Sequence, residues 1–182
     1  NITGEQVAVL KQEFDETEYV KQAYCLGIYY NNALIALENN FSTYPTKKLE
    51  ELEYPNLYIR EKEDTYTGKS EKSYGFKTTQ ITRPLILALL QEIVKDEIEK
   101  INDEGTLKEM LSFIKNKNGR AEAEVGYHDD LTLALAIAYY IRPQQKMNIE
   151  AENVEKIQKE IAVEFGIETE KKEDSDSKIE VF

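Results

Sequence analysis

Residues 126–141 limit the possible folds of this chain more than any other stretch. Gly126-Tyr127-His128-Asp129-Asp130 places the single histidine and two adjacent acids directly ahead of Leu131–Ile141, eleven residues that are almost all apolar. Ala and Leu dominate that run, and both lose little rotamer freedom in a helix, so a helix is expected. Periodicity alone leaves a strand of the same length open. A helix apolar on nearly every side has to be buried. Asp129 and Asp130 would then stand where a buried element meets the surface. Two roles suit acids there. They can favour a helix N-terminus through its dipole and cap its free N–H groups. Alternatively, a carboxylate fixed on a rigid element can hold a divalent metal ion, with His128 beside it.

Glu38 has a similar position. Ala33–Leu37 is a short, continuous apolar run, which predicts a strand buried on both faces, and it ends in Glu38-Asn39-Asn40. Carboxylates distant in sequence, such as Glu38 and Asp130, can converge on a hard cation. Mg²⁺ or Mn²⁺ prefers carboxylate oxygens and retains waters for chemistry. Two such ions about 3.5–4 Å apart can activate water and stabilise the leaving oxygen in phosphodiester cleavage.

The other elements alternate. Gln6–Phe14 reads as a strand, and the Thr3-Gly4 turn before it implies a preceding strand. Asp15-Glu16-Thr17-Glu18 resembles a capping box, with Tyr19, Val20, Ala23, Tyr24 and Ile28 following at helical spacing. Asn40 or Ser42 can cap a helix over 43–53 with Leu49 and Leu52 inward, and Leu57–Ile59 is a further strand. Residues 64–70 suit a hairpin tip. Gly68-Lys69-Ser70 superficially resembles a phosphate loop, but Glu63 stands where that motif needs glycine, so no P-loop ATPase is encoded. Thr82-Arg83-Pro84 opens a helix carrying Ile86, Leu89, Leu90, Ile93 and Val94 on one stripe. A helix over 106–114, a turn at Asn116–Gly119 and a lead-in over Ala121–Val125 follow. After Pro143, an amphipathic helix over 148–165 closed by Gly166 and an acid-rich, mobile tail are expected. Strands alternating with helices argue for an α/β layer.

The net charge of −12 argues against a general nucleic-acid binder. It is unevenly spread, however. Residues 47–83 hold eight basic residues against seven acids, so a local basic face over that span is possible. The lone Cys25 forms no intrachain disulfide, fits a reducing cytoplasm and reads as core. No apolar run is long enough for a membrane span, and the first residues do not read as a signal peptide. Without an initiator Met, the sequence reads as a cut inside a longer protein.

One ordered set of segments has a counterpart in a known family. It comprises Gln6-Val7-Ala8, Leu26-Gly27-Ile28-Tyr29-Tyr30-Asn31-Asn32-Ala33, Ala36-Leu37-Glu38-Asn39-Asn40, Tyr54-Pro55-Asn56-Leu57-Tyr58, Gly75-Phe76-Lys77-Thr78, Thr82-Arg83-Pro84 and Gly126-Tyr127-His128-Asp129-Asp130. Over about residues 5–142 it resembles the C-terminal nuclease domain of the phage terminase large subunit. The resemblance implies a ribonuclease H-like fold, a mixed central sheet flanked by helices, whose opening strand or strands lie ahead of Asn1. It implies a domain over 1–143 followed by a C-terminal helix and acidic tail over 144–182. It also implies a metal-dependent endonuclease that cuts concatemeric double-stranded DNA, using Mg²⁺ or Mn²⁺. An upstream ATPase domain, the portal and the small terminase subunit would be its partners, in the cytoplasm of the infected bacterial host.

Family members hold metal with three acids. The second maps to Glu38 and the third to Asp130 or, in second place, Asp129; the first belongs on the missing opening strand. His128 stands beside them. Arg60, Lys62, Lys77 and Arg83 are expected to flank the acids and contact phosphates, because backbone contacts carry no sequence information. Two alternatives remain. One is a non-catalytic module binding DNA or the portal through residues 60–83 or the tail helix. The other is a different ribonuclease H-like nuclease, such as a resolvase.

Overall fold

The computed structural model describes residues 3–63, 70–117 and 119–164. Its elements are α1 (Glu16–Tyr29), α2 (Tyr44–Glu51), β1 (Ile59–Glu63), β2 (Ser70–Tyr74), α3 (Thr82–Asp96), a 3₁₀ turn (Ile98–Lys100), α4 (Glu104–Leu111), β3 (Phe113–Lys115), β4 (Ala121–Ala123) and α5 (Asp130–Glu164). The fold is therefore mixed α/β. The chain divides into two compact units, 1–145 and 146–182. The hairpin tip and the acidic tail lie outside the described residues.

Local sequence accounts for most of the helices. Asp15 accepts the Glu18 N–H at 2.8 Å and starts α1. The Glu18 carboxylate accepts instead from Gln22 within the helix at 2.7 Å, so only half of the expected capping box forms. Pro45 sits in the first turn of α2, where its missing N–H removes no helical bond, and the Ser42 hydroxyl accepts the Tyr44 N–H at 3.2 Å. Asp103 caps α4 through the Thr106 N–H and hydroxyl, at 2.6 and 2.8 Å. The first three turns of α5 are buried almost all round, as their composition requires; within Leu131–Ile141 only Ala134 and Ala138 are exposed.

Two clusters make the core. Ile86, Leu87 and Leu90 of α3 pack with Leu135, Ala136, Ile137, Tyr139 and Ile141 of α5, and with Phe76 and Ile101. Val20, Leu37, Leu49, Tyr54 and Leu57 form the second cluster. Gly27 permits the close approach of α1 in the second cluster, since a Cβ there would lie 2.2 Å from the Tyr54 hydroxyl.

Several expectations are corrected. Gln6–Phe14 forms no strand and pairs with none among the described residues. Its backbone is held by scattered bonds instead, from the Gln6 N–H to the Lys100 carbonyl and from the Tyr30 hydroxyl to the Val7 carbonyl. Cys25 and Leu52 are exposed rather than core. The helix expected over 106–114 stops at Leu111, and β3 and β4 pair across the Asn116–Gly119 turn. Pro143 does not end the helix before it; α5 runs through it to Glu164. An interior proline costs roughly 3 kcal/mol, which packing can outweigh. Anchors stand on both sides of it. Tyr139 and Ile141 are buried ahead of it, and Gln144 and Gln145 bond the backbone of distant segments after it.

The strands form two two-stranded antiparallel sheets, β1–β2 and β3–β4. Residues 33–39, expected as a buried central strand, are extended and make isolated parallel bridges, Ile35 to Leu57 and Glu38 to Phe76. Of this run, only Leu37 is fully buried.

Candidate acidic site

Glu38 lies at the end of the 33–39 segment, exposed, and bridges to Phe76. The two asparagines after it hold that end in place. Asn39 donates to the Tyr74 carbonyl at 3.0 Å and accepts from the Thr46 hydroxyl at 2.6 Å. Asn40 bonds both main-chain groups of Thr78, at 2.6 and 2.9 Å, as a neighbouring strand would. Gly75 makes room for this lock: its φ is +84°, and a Cβ there would lie 2.4 Å from the Asn39 side-chain nitrogen. Glu38 is thus fixed on a pinned backbone. The sequence drew attention to Asn40 as a possible helix cap and to Asn39-Asn40 as part of a segment shared with the resembling family, not to this lock.

The other acids stand at the start of α5, and their environments differ. Asp129 is tied down: its carboxylate accepts from the Arg83 guanidinium at 2.6 Å. That guanidinium also donates to the Ala121 carbonyl at 3.3 and 3.4 Å. Asp130 has a side chain 76% exposed, and the His128 ring nitrogen lies 4.0 Å from its carboxylate. Neither acid fills the capping role. Glu109 of α4 reaches across instead, and its carboxylate accepts the Leu131 and Thr132 N–H groups at 2.8 and 3.2 Å. Its other oxygen accepts from Lys11 at 2.6 Å, which raises the Lys11 pKa above its usual value. Sequence reading missed Glu109, because a cap supplied from another helix has no local spacing signal.

The expected DNA-contacting cations separate in the same way. Arg83 is not an exposed cation; it is 9% exposed and committed to Asp129 and Ala121. Arg60 is half-buried in β1 and donates to the Ser73 hydroxyl across the hairpin at 3.2 Å. Lys62 lies in β1 in register with Glu71. Lys77 is exposed and follows Phe76, the residue that bridges Glu38.

Carboxylates are the right donors for a hard cation. Among the described residues, however, no group of three or more His, Cys, Asp or Glu side chains is gathered as a metal-holding set. Glu38 and Asp130 as placed do not make a complete metal centre. An apolar cavity of about 320 Å³, lined among others by Leu87, Leu90, Val94, Met110, Phe113 and Thr132, contains none of the candidate acids. None of the described helices is long and apolar enough to cross a membrane. No family model, curated protein or solved structure matches this chain.

Proposed function

We propose that this chain is the greater part of the nuclease domain of a viral DNA-packaging terminase large subunit, a metal-dependent endonuclease acting on double-stranded DNA. The observation that carries the reading is the division of labour at the start of α5. Capping explains acids at a helix N-terminus in most proteins. Here Glu109 does the capping and Arg83 engages Asp129, so Asp130 neither caps the helix nor pairs with an arginine, and is exposed at the end of a buried helix. Glu38, pinned by its asparagines, is the second carboxylate of this reading. The ribonuclease H-like arrangement, the first acid of the set on an opening strand, the ATPase, portal and small-subunit partners and the host cytoplasm belong to the same proposal.

The experiment is a thermal melt with and without Mn²⁺ on the parent, Asp130→Asn and Glu38→Gln, alongside plasmid cleavage in Mg²⁺ and Mn²⁺. With two of three acids present, ion binding is expected to be weak, with Mn²⁺ ahead of Mg²⁺, because Mg²⁺ demands near-ideal octahedral geometry. Each substitution should reduce the Mn²⁺-dependent shift. Equal stabilisation of the parent and Asp130→Asn would remove Asp130 as a ligand.

A second reading is favoured by the missing metal-holding group among the described residues. In it, residues 1–182 form a non-catalytic DNA- or portal-binding module. DNA binding unchanged by Glu38→Gln and Asp130→Asn, with no response to Mn²⁺, would support it.

A further inference from the structure

The apolar cavity of about 320 Å³ lies between α3, α4, the β3–β4 hairpin and the start of α5. Leu87, Leu90, Val94, Met110 and Phe113 make its walls apolar. Leu87, Leu90 and Thr132 are buried, whereas Gln91 and Lys95 are exposed, so the cavity is deep at the first three and opens at the last two. The Thr132 hydroxyl has no hydrogen-bond partner among the described residues. Buried hydroxyls are nearly always paired, so the side chains around this cavity do not complete it by themselves. Its volume falls at the small end of ligand pockets, which run from about 300 to 1,000 Å³. Its length is set by α3. Leu87 and Lys95 stand about 12 Å apart along the helix axis. That volume drawn out over that length suits one chain-like ligand.

The mouth determines the ligand's head group. Gln91 and Lys95 are one turn apart on α3, where side chains four positions apart are neighbours. Neither has a hydrogen-bond or ion partner among the described residues. Lys95 is the one charged residue in the lining. An ammonium and an amide N–H both donate, so together they suit an anion, and a carboxylate can accept from both. Lys95 also lies in the last turn of α3, where a cation suits the helix dipole, so ligand affinity rather than stability decides its role. A protein partner fits poorly. Glu92 and Asp96 stand exposed beside the mouth, and the centre of a protein interface is depleted in such charges.

We propose that this cavity binds an elongated amphiphilic carboxylate, with its apolar chain along Leu87, Leu90 and Val94 and its head at Gln91 and Lys95. The chain gains the apolar burial that the walls offer, and the head stays at the surface, where both donors are exposed. The site uses none of Glu38, Asp129 and Asp130 and is independent of the nuclease reading.

The chain has two methionines, which report on the test. Met110 lines the cavity, and Met147 is exposed and not part of the lining. With both methyl groups labelled with ¹³C, an NMR titration with sodium decanoate below its micellar concentration reads the cavity and the surface together. The Met110 methyl should shift to saturation while Met147 stays still. Lys95→Gln should fold as the parent does and bind decanoate about fivefold more weakly, the upper value of an exposed ion pair. Decyltrimethylammonium, with the same chain and a cationic head, should bind the parent about fivefold more weakly than decanoate. Val94→Phe, which fills the cavity, should abolish the shift. The absence of a saturable Met110 shift in the parent would overturn the site. A Met147 shift that follows Met110 would mean adsorption to the surface and overturn it as well. Unchanged affinity in Lys95→Gln, or equal binding of the cationic amphiphile, would overturn the carboxylate. A Met110 shift on concentrating the chain without decanoate would assign the cavity to a second copy and overturn the proposal.

Discussion

Replacing Glu109 by alanine tests whether one buried carboxylate on α4 holds the start of α5. The carboxylate is a hydrogen-bond acceptor for three donors, the Lys11 ammonium and the N–H groups of Leu131 and Thr132. Thr132 is 2% exposed, so water cannot replace the lost acceptor there. An orphaned buried donor costs about 1–3 kcal/mol. The half-buried Leu131 N–H loses about 1 kcal/mol more, near the usual value of a helix cap. The negative charge at a helix N-terminus adds about 0.5 kcal/mol. The total is about 3 kcal/mol, or a fall in Tm of roughly 6–12 °C for a chain of this size. Glu109→Gln keeps one oxygen toward the helix and should lose about 1 kcal/mol. Lys11→Ala removes the cation beside a carboxylate only 10% exposed, but keeps both helix N–H bonds, so it should lower the melt by less than Glu109→Ala. Circular dichroism melts and urea titrations on the three variants give the ordering. If Glu109→Ala lies within about 1 kcal/mol of the parent, the cross-helix cap is not what orders the start of α5, and the argument that it frees Asp130 fails with it.

Other variants probe the same framework. Arg83→Ala strands a carboxylate that is about a quarter exposed, so it should destabilise by about 2–3 kcal/mol, below the usual cost of breaking a fully buried pair. On the nuclease reading, Lys77→Ala should leave stability alone and lower the salt slope of DNA binding by about one unit; a reversed pattern would return Arg83 to the DNA surface. Gly27→Ala would bring a methyl group against the Tyr54 hydroxyl and the Ile35 side chain, for a net loss of about 1–2 kcal/mol by urea unfolding, despite alanine's better helix propensity. Tyr54 donates to the Ala33 carbonyl at 2.5 Å, and burial, helped by neighbouring Tyr24, pushes its pKa up to about 12. A folded-state value above the ordinary 10 means that its stabilisation is complete below pH 10 and lost between pH 10 and 12. Tyr54→Phe should flatten the alkaline limb of a pH-dependent melt, and an unchanged limb would refute the assignment.

What the sequence made legible follows from how local each cause is. The buried start of α5, the Asp15 cap and the helix opened by Thr82-Arg83-Pro84 are set by residues a few positions apart, and all formed. Pro143 shows the opposite case. Its local preference to break a helix was overridden by Tyr139 and Ile141 in the core and by glutamines whose partners, Leu34 and Ile59, lie 111 and 85 residues away. The Gln6–Phe14 pattern was read as a strand from its apolar residues, but a strand needs a neighbour, and among the described residues this stretch pairs with none. Apolar alternation reports suitability for a sheet, not the presence of one.

The acids show why a candidate site is harder to read than a core. In sequence, Asp129 and Asp130 are adjacent and chemically identical, and only the family resemblance ranks Asp130 ahead of Asp129 as a ligand. What separates them lies elsewhere in the chain: Arg83, 46 residues before Asp129, and Glu109, 22 residues before the Leu131 N–H that it accepts. Each removes a structural explanation, Arg83 by occupying Asp129 and Glu109 by taking over the cap. Structural duties are assigned by burial and pairing, and the group left exposed and without such a duty is the one free to meet a ligand. The same reasoning applies to Glu38. Its neighbours Asn39 and Asn40 are committed to Tyr74, Thr46 and Thr78, while its own carboxylate is exposed. On the nuclease reading, a metal ligand needs an exposed carboxylate on a rigid backbone, and Glu38 and Asp130 are the two candidates that have one.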